Sequence, residues 1–324
     1  MKEIGGYIEL DAGNRPMLHE GAFALNCGRN ALAWLLHARS IKKLWSPRLI
    51  CDSVPDVCDR EGIPWAFYGI GPGLLPSEEV ALGDGEWFYF VNYYSQFGNG
   101  EIAAFVRRYG GRVIVDNAQS YFQEPLPGVD TLYTCRKYFG VADGAFLYTA
   151  APGDVSALPR DESFDRMRFL LGRVERPASE FYAEYAANNA RFAAEPVKRM
   201  SKLTRQLLHG IDYDAARKIR ERNYGILHAR LGPLNGLALS GTPGTFMYPL
   251  LLENGAEVRK RLQAGRIYVP TLWPGVFARC GEAAAEHRLA KDLLPLPIDQ
   301  RYGPEDMESL ANAVHLCYTG KTIS

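Results

Sequence analysis

The 324-residue chain has no excess of charge of either sign: 37 Lys and Arg stand against 37 Asp and Glu. That balance removes the global basic field used to bind nucleic acid or an anionic membrane surface. No run approaches the roughly 18 apolar residues that span a bilayer, and the opening stretch MKEIGGYIELDAGNRP has no apolar segment of the kind that directs export. The six cysteines (Cys27, Cys51, Cys58, Cys135, Cys280, Cys317) form no CxxC pair and no zinc-like spacing. Six histidines (His19, His37, His209, His228, His287, His315) are scattered, so no metal site is expected. Reduced thiols in a cytoplasmic protein are the expected state. HExxH, GxSxG and P-loop patterns are missing. The run Gly69-Ile70-Gly71-Pro72-Gly73 has a proline inside and continues as Leu74-Leu75-Pro76, so it reads as a turn and not as a dinucleotide loop.

What is present is ordinary for a globular protein: 47% apolar and 23% charged residues, which argues against disordered and fibrous classes. The length predicts a large core divided between a major domain, residues 20–215, and a minor one built from 1–19 and 216–324. In the first half, helical and strand patterns alternate. Helices are expected over 29–37, 53–61 and 101–109, and strands over 43–46, 65–68, 87–91, 113–115, 132–134 and 145–148. That order predicts an α/β fold with a mainly parallel sheet in an α/β/α sandwich, with ligands gathered beyond the strand C-termini. From 161 to about 230 the pattern is mostly helical, and 213–230 reads as a long amphipathic helix whose charges form a solvated face. Strands over 246–252 and 267–270 and helices over 257–264 and 305–317 predict a small C-terminal α+β domain.

The chemistry concentrates between Val113 and Lys137. An apolar β-branched run ends on Asp116, Gln119 follows three residues later, and a second apolar run ends in Thr134-Cys135-Arg136-Lys137. Alone, an aspartate at a strand end is often a turn cap. With a lysine 21 residues on, at the end of another strand, the pair is what a pyridoxal 5′-phosphate (PLP) enzyme needs: an amine for the aldehyde and a carboxylate for the pyridine nitrogen. Gln119 is placed to reach the ring's phenolic oxygen. Lys137 follows a strand expected to be buried, a setting that favours the free amine over the ammonium. Gly28-Arg29-Asn30 opens the first long helix, and such an N-terminus with an approachable backbone is a natural phosphate cradle. Thr134 offers a hydroxyl to the same phosphate. Asn92, closing the run Trp87–Val91, can bond the cofactor or simply end a strand.

These residues resemble a known group. Gly28-Arg29-Asn30-Ala31-Leu32, Asp116-Asn117-Ala118-Gln119, Thr134…Lys137 and Arg199-Met200-Ser201 are similar in order and type to fold-type I PLP enzymes, and more narrowly to the DegT/StrS-like sugar aminotransferases. Leu294–Val314 resembles that family's closing strand and helix. The resemblance implies Lys137 as the Schiff-base lysine, Asp116 as the partner of the pyridine nitrogen, Gln119 at the ring oxygen, and Gly28, Arg29 and Thr134 at the phosphate. It also implies a homodimer with sites at the subunit interface, and amino transfer from glutamate or glutamine to a keto-sugar on a nucleotide. The chain departs from the pattern near Ile50-Cys51, where the family's ring-stacking aromatic is replaced. It departs again at Val197-Lys198, where an Asn-Tyr pair is usual, and at Cys135-Arg136. Those departures fit a divergent branch with a related keto acceptor. The same residues could also serve a PLP-dependent lyase or dehydratase, or persist in a non-catalytic protein that kept the fold.

Overall fold

A computed structural model describes residues 4–321, apart from 12 and 242. Seven strands form one sheet: β1 (Phe23–Leu25), β2 (Lys43–Pro47), β3 (Trp65–Tyr68), β4 (Glu86–Val91), β5 (Val113–Asp116), β6 (Asp130–Thr134) and β7 (Ala145–Tyr148), in the order β1-β7-β6-β5-β4-β2-β3. Strands β2 to β6 run parallel, and β7 is antiparallel to both β6 and β1. The central strands β4, β5 and β6 are rich in β-branched and aromatic residues and largely buried, as strands covered on both faces must be. Helices α1 (Gly28–Ala38), α2 (Ser53–Arg60) and α3 (Asn99–Arg108) lie between them in sequence. In α1 the apolar residues Ala31, Leu32, Leu35 and Leu36 fall on one face and are buried, which docks the helix on β6 and β7.

A helical layer follows: α4 (Arg168–Glu175), α5 (Tyr182–Arg191), α6 (Lys202–His209) and the 19-residue α7 (Tyr213–Leu231). The buried stripe of α7 is Ala216, Arg220, Asn223, Leu227 and Leu231, a helical spacing that includes two polar residues, one of them a charge, Arg220, expected on the solvated face. Their hydrogen bonds explain it. Arg220 donates to the carbonyls of Thr245 and Phe246, and Asn223 to those of Ile298 and Tyr302.

A second core of Leu227, Leu250, Leu262, Leu294 and Val314 holds a two-stranded sheet of β8 (Tyr248–Leu251) and β9 (Leu293–Leu296). Around it lie α8 (Gly255–Ala264), α9 (Val276–Arg279), α10 (Ala285–Asp292) and α11 (Pro304–Tyr318). The strand expected over 267–270 does not form. Arg266 has φ +62°, which turns the chain out of an extended path, and Pro270 lacks the N–H a ladder needs. The partner of β8 is β9 instead. Strand β1 and helices α9 and α10 carry no pattern long enough to be read from the sequence. No helix among the described residues is long and apolar enough to cross a membrane.

Candidate active site

Because β1 and β6 are each antiparallel to β7, they run in the same direction, and the C-terminal ends of β1, β2, β4, β5 and β6 all open on one edge. Asp116 ends β5 in register with Leu132 of β6, two residues before Thr134. Gly144 donates its N–H to the carbonyl of Asn26, and its own carbonyl accepts the N–H of Cys135, which ties the start of α1 to the lysine loop. The edge therefore gathers Gly28, Asn92, Asp116, Gln119, Thr134 and Lys137 as the ends of adjacent strands.

Asp116 is half-buried and fixed from two sides. Its Oδ1 accepts from the N–H of Ala118 at 2.8 Å, and its Oδ2 from the hydroxyl of Tyr89 at 3.0 Å. Tyr89 was missed in the sequence, yet strand geometry explains its place. It pairs with Ile114, and Ile114 and Asp116, two apart, share a face. Burial, with the Asp116 carboxylate next, pushes the Tyr89 phenol well above its usual range, so it remains a proton donor to Asp116.

Gln119 and Asn92 are buried. The Oε1 of Gln119 accepts the N–H of Tyr94 at 2.8 Å, and its carbonyl accepts the hydroxyl of Ser95 at 2.7 Å. Tyr94 and Ser95 both stand in the left-handed region, at φ 51° and 55°, a costly pair for residues other than glycine. Gln119 thus clamps a strained turn at the edge of the site. The Asn92 amide is turned into the same loop, donating to the Phe97 carbonyl and to Gln123 while its Oδ1 accepts the Phe97 N–H.

At the start of α1, Cys27 makes no side-chain cap and the first turn holds no acid. A Cβ placed at Gly28 would meet nothing within 4 Å, so the approach to the unpaired N–H groups is open. Arg29 donates to the Asn189 carbonyl at 3.1 Å and Arg136 to the Asn189 side chain at 2.8 Å, so Asn189 holds two guanidiniums beside Cys27. Burial raises the Cys27 thiol, which stays uncharged, and lowers Arg136, which as an arginine keeps its proton. Asn26, fully buried, leaves its Nδ2 without an acceptor. An open helix N-terminus, two guanidiniums and a spare amide donor make an anion cradle. Asn30 contributes differently from expectation: its Nδ2 donates to Asn26 and to the Pro196 carbonyl, and its Oδ1 accepts from Arg60.

Lys137 is exposed, where the sequence predicted a buried amine. The strand ends at Thr134 and a helical turn begins: Tyr138 and Phe139 both donate to the Cys135 carbonyl. In a turn of that period Cys135, Tyr138 and Phe139 share the inward face, and Lys137 is rotated away. Its Nζ lies 5.6 Å from the centre of the Phe246 ring, and it lines a cavity of about 750 Å³ with Arg136 and Arg220. Behind the loop, the buried Asp143 accepts from the N–H and hydroxyl of Ser201 and from Thr204, which joins the lysine loop to α6.

The residue types suit PLP, with a cationic cradle for a phosphate, a held carboxylate for a ring nitrogen and an accessible amine, but the cavity that Lys137 lines is walled by α4 and α5 and not by Asp116, Gln119, Thr134 or Gly28.

No protein-family model matches the sequence, and no curated protein matches it. Solved structures do match in shape. DesV of S. venezuelae is 16% identical, with 93% of this chain and 85% of that one covered and a TM-score of 0.63. A DegT DnrJ EryC1 StrS aminotransferase from Brucella abortus is 15% identical over 93% and 87%, with a TM-score of 0.61. NtdA from Bacillus subtilis, solved with bound cofactor PMP, is 13% identical over 92% and 73%, with a TM-score of 0.65. The chain has the fold of the DegT/DnrJ/EryC1/StrS-type aminotransferases.

Proposed function

We propose that this protein is a PLP-dependent aminotransferase that moves an amino group from an amino acid, glutamate or glutamine, to a keto-sugar or related keto acceptor. The single observation that carries the reading is the Asp116 carboxylate, held by Tyr89 and Ala118 at the sheet edge that also presents the anion cradle and Lys137. The shared fold with sugar aminotransferases supports the acceptor class.

When bound, PLP supplies an aldehyde for carbon–nitrogen exchange and an electron-accepting ring. The α1 N-terminus, with Gly28, Arg29, Arg136 and Thr134, would bind the phosphate. Asp116, oriented by its two donors, would hold a proton on the ring nitrogen. Gln119 would stand at the ring oxygen, and Asn92 would support it by ordering the loop. Lys137 Nζ would carry the covalent link at rest and shuttle the proton from the donor's α-carbon. We further propose a cytoplasmic homodimer with the site at its interface, and a division into the two domains set out above, at about the start of α7.

Borohydride reduction of the yellow purified protein, followed by peptide mass spectrometry, tests the assignment. A phosphopyridoxyl adduct on Lys137 is expected. An adduct on another lysine, or none after reconstitution, would overturn it. Elimination in place of reversible amino transfer would replace the reaction with lyase or dehydratase chemistry.

A further inference from the structure

The first described residues, 4–11, form an arm that packs on nothing. Ile4, Tyr7, Ile8 and Leu10 are 62–98% exposed. The arm joins the body at Gly13, whose backbone presses so closely on Gly210 that a Cβ would stand 2.4 Å from its Cα. Arg15 then fixes the chain, taking its N–H to the His209 carbonyl at 3.0 Å and pairing with Asp212. That anchor is two residues from Leu207, which lines the cavity at Lys137.

The cavity has the complementary character. On the α4–α5 side it presents Leu171, Val174, Tyr182 and Tyr185, 45–85% exposed. Such a patch beside a polar rim is what an interface leaves open. Its open charges are Arg136, Lys137 and Arg173, since Arg301 pairs with Asp299 and Arg220 is buried against the Thr245 and Phe246 carbonyls. Residues 4–11 carry Glu9 and Asp11 and no lysine or arginine. Eight extended residues reach about 26 Å, enough to cross a subunit boundary and lie along two helical turns.

We infer that the arm of a second copy of this chain docks in the cavity between α4, α5 and the Lys137 loop. Its apolar side chains would meet Leu171, Val174 and Tyr182, with Glu9 and Asp11 facing the arginines. Each subunit would then complete the wall of the other's site. This deepens the proposed homodimer and rests on that reading for its consequence at Lys137, though its test does not depend on activity.

The test places the photo-crosslinker p-benzoylphenylalanine at Tyr7 in the full-length protein and irradiates a mixture of ¹⁵N-labelled and unlabelled chains. Peptides joining the arm to residues 168–191 with mixed isotopes are expected. Joined peptides of one isotope only mean that the arm folds onto its own chain, and the absence of arm-to-168–191 peptides means that it docks elsewhere; either result overturns the inference. Val174→Glu, at a solvent-facing position, should keep the circular dichroism of the wild type and cut the mixed-isotope yield at least about fivefold, the repulsion acting against Glu9 and Asp11. An unchanged yield overturns the placement. A failed borohydride assignment at Lys137 leaves these outcomes untouched, so the two readings fail separately.

Discussion

The C-terminal edge of the seven-stranded sheet and the α4–α5 layer are built on opposite terms. At the edge, Asp116, Gln119 and Asn92 have their polar atoms aimed by hydrogen bonds at 2.7–3.1 Å, over strands that are almost wholly buried. In the helical layer, α4 buries only Phe169 and α5 only Asn188. Polar ties hold that layer: Asn188 donates to the Ala142 carbonyl at 2.9 Å, and the buried Arg166 pairs with Asp161 at 2.8 Å. The sheet edge is fixed in position by its own chain, while the helices turn apolar side chains outward. Substitutions should therefore act on chemistry at the first region and on association at the second.

The contrast breaks most readily at Lys137. Lys137→Ala should lower the amino-donor half-reaction by on the order of 10⁴-fold or more, as removal of a reactive group does. Rapid-scan absorbance of cofactor-reconstituted protein reads it, and a near-wild-type rate would mean that the loop is only a wall. Asp116→Ala comes next, with a loss of roughly 10²–10³-fold for one preorganised electrostatic group. Its melting temperature should fall by a few degrees while the fold is kept, since the buried Tyr89 hydroxyl and the Ala118 N–H lose their acceptor. A rate within a factor of a few of the wild type would reduce Asp116 to a turn cap.

Behind the lysine loop the expected effect is on stability. Asp143→Ala removes a buried carboxylate that accepts three hydrogen bonds and orphans the donors on Ser201 and Thr204. Urea unfolding should show a loss of about 3 kcal/mol. A loss below about 1 kcal/mol would show that water replaces the carboxylate and that the loop is looser than the rest of the edge.

A smaller effect is a matter of pH. His19, 2% exposed, donates from Nε2 to the Tyr121 carbonyl, pairs through Nδ1 with the Tyr148 hydroxyl, and lies with its ring centre 4.1 Å from that of Tyr133. Burial lowers its pKa from 6.5 to about 4. The unfolded chain binds the extra proton between those values, so stability rises with pH from about 4 to 6.5 and is flat for this group above and below. The loss on going from pH 7 to 4.5 should be roughly 2 kcal/mol, and His19→Phe should remove that part of the slope. An unchanged slope would place the titration elsewhere. The smallest expected change sharpens the other side of the comparison: Val174→Glu, on the open face of α4, should move the unfolding free energy by less than about 0.5 kcal/mol.

Most of the sheet is legible in the sequence because its strands announce themselves twice, by composition and by the turns between them. The strands over 65–68 and 145–148 match to the residue, and the parallel order follows from the alternation with helices. The positions of Asp116, Gln119 and Lys137 just at or beyond strand ends follow the pattern because strand ends define the edge. Three features resist. Lys137 faces outward because the period of its segment changes from two to a helical turn at Cys135, a switch that four residues cannot display. Strand β1 has three residues and takes its identity from partners at 145–147. Arg220 is buried by carbonyls from Thr245 and Phe246, which no local pattern on α7 foretells. Each depends on contacts distant in sequence.

Strand β1 also dictates when the site can exist. On one side it pairs with β7. On the other, Leu25 bridges to Arg199, Asn26 donates to the Lys198 carbonyl, and Met200 donates to that of Ala24. The residues that frame the start of α1 are thus separated by some 120 to 175 positions. A ribosome must translate past residue 200, and release that length from its exit tunnel, before Gly28 is enclosed on both flanks. Until then the nascent chain holds a helix whose anion-facing end has no walls.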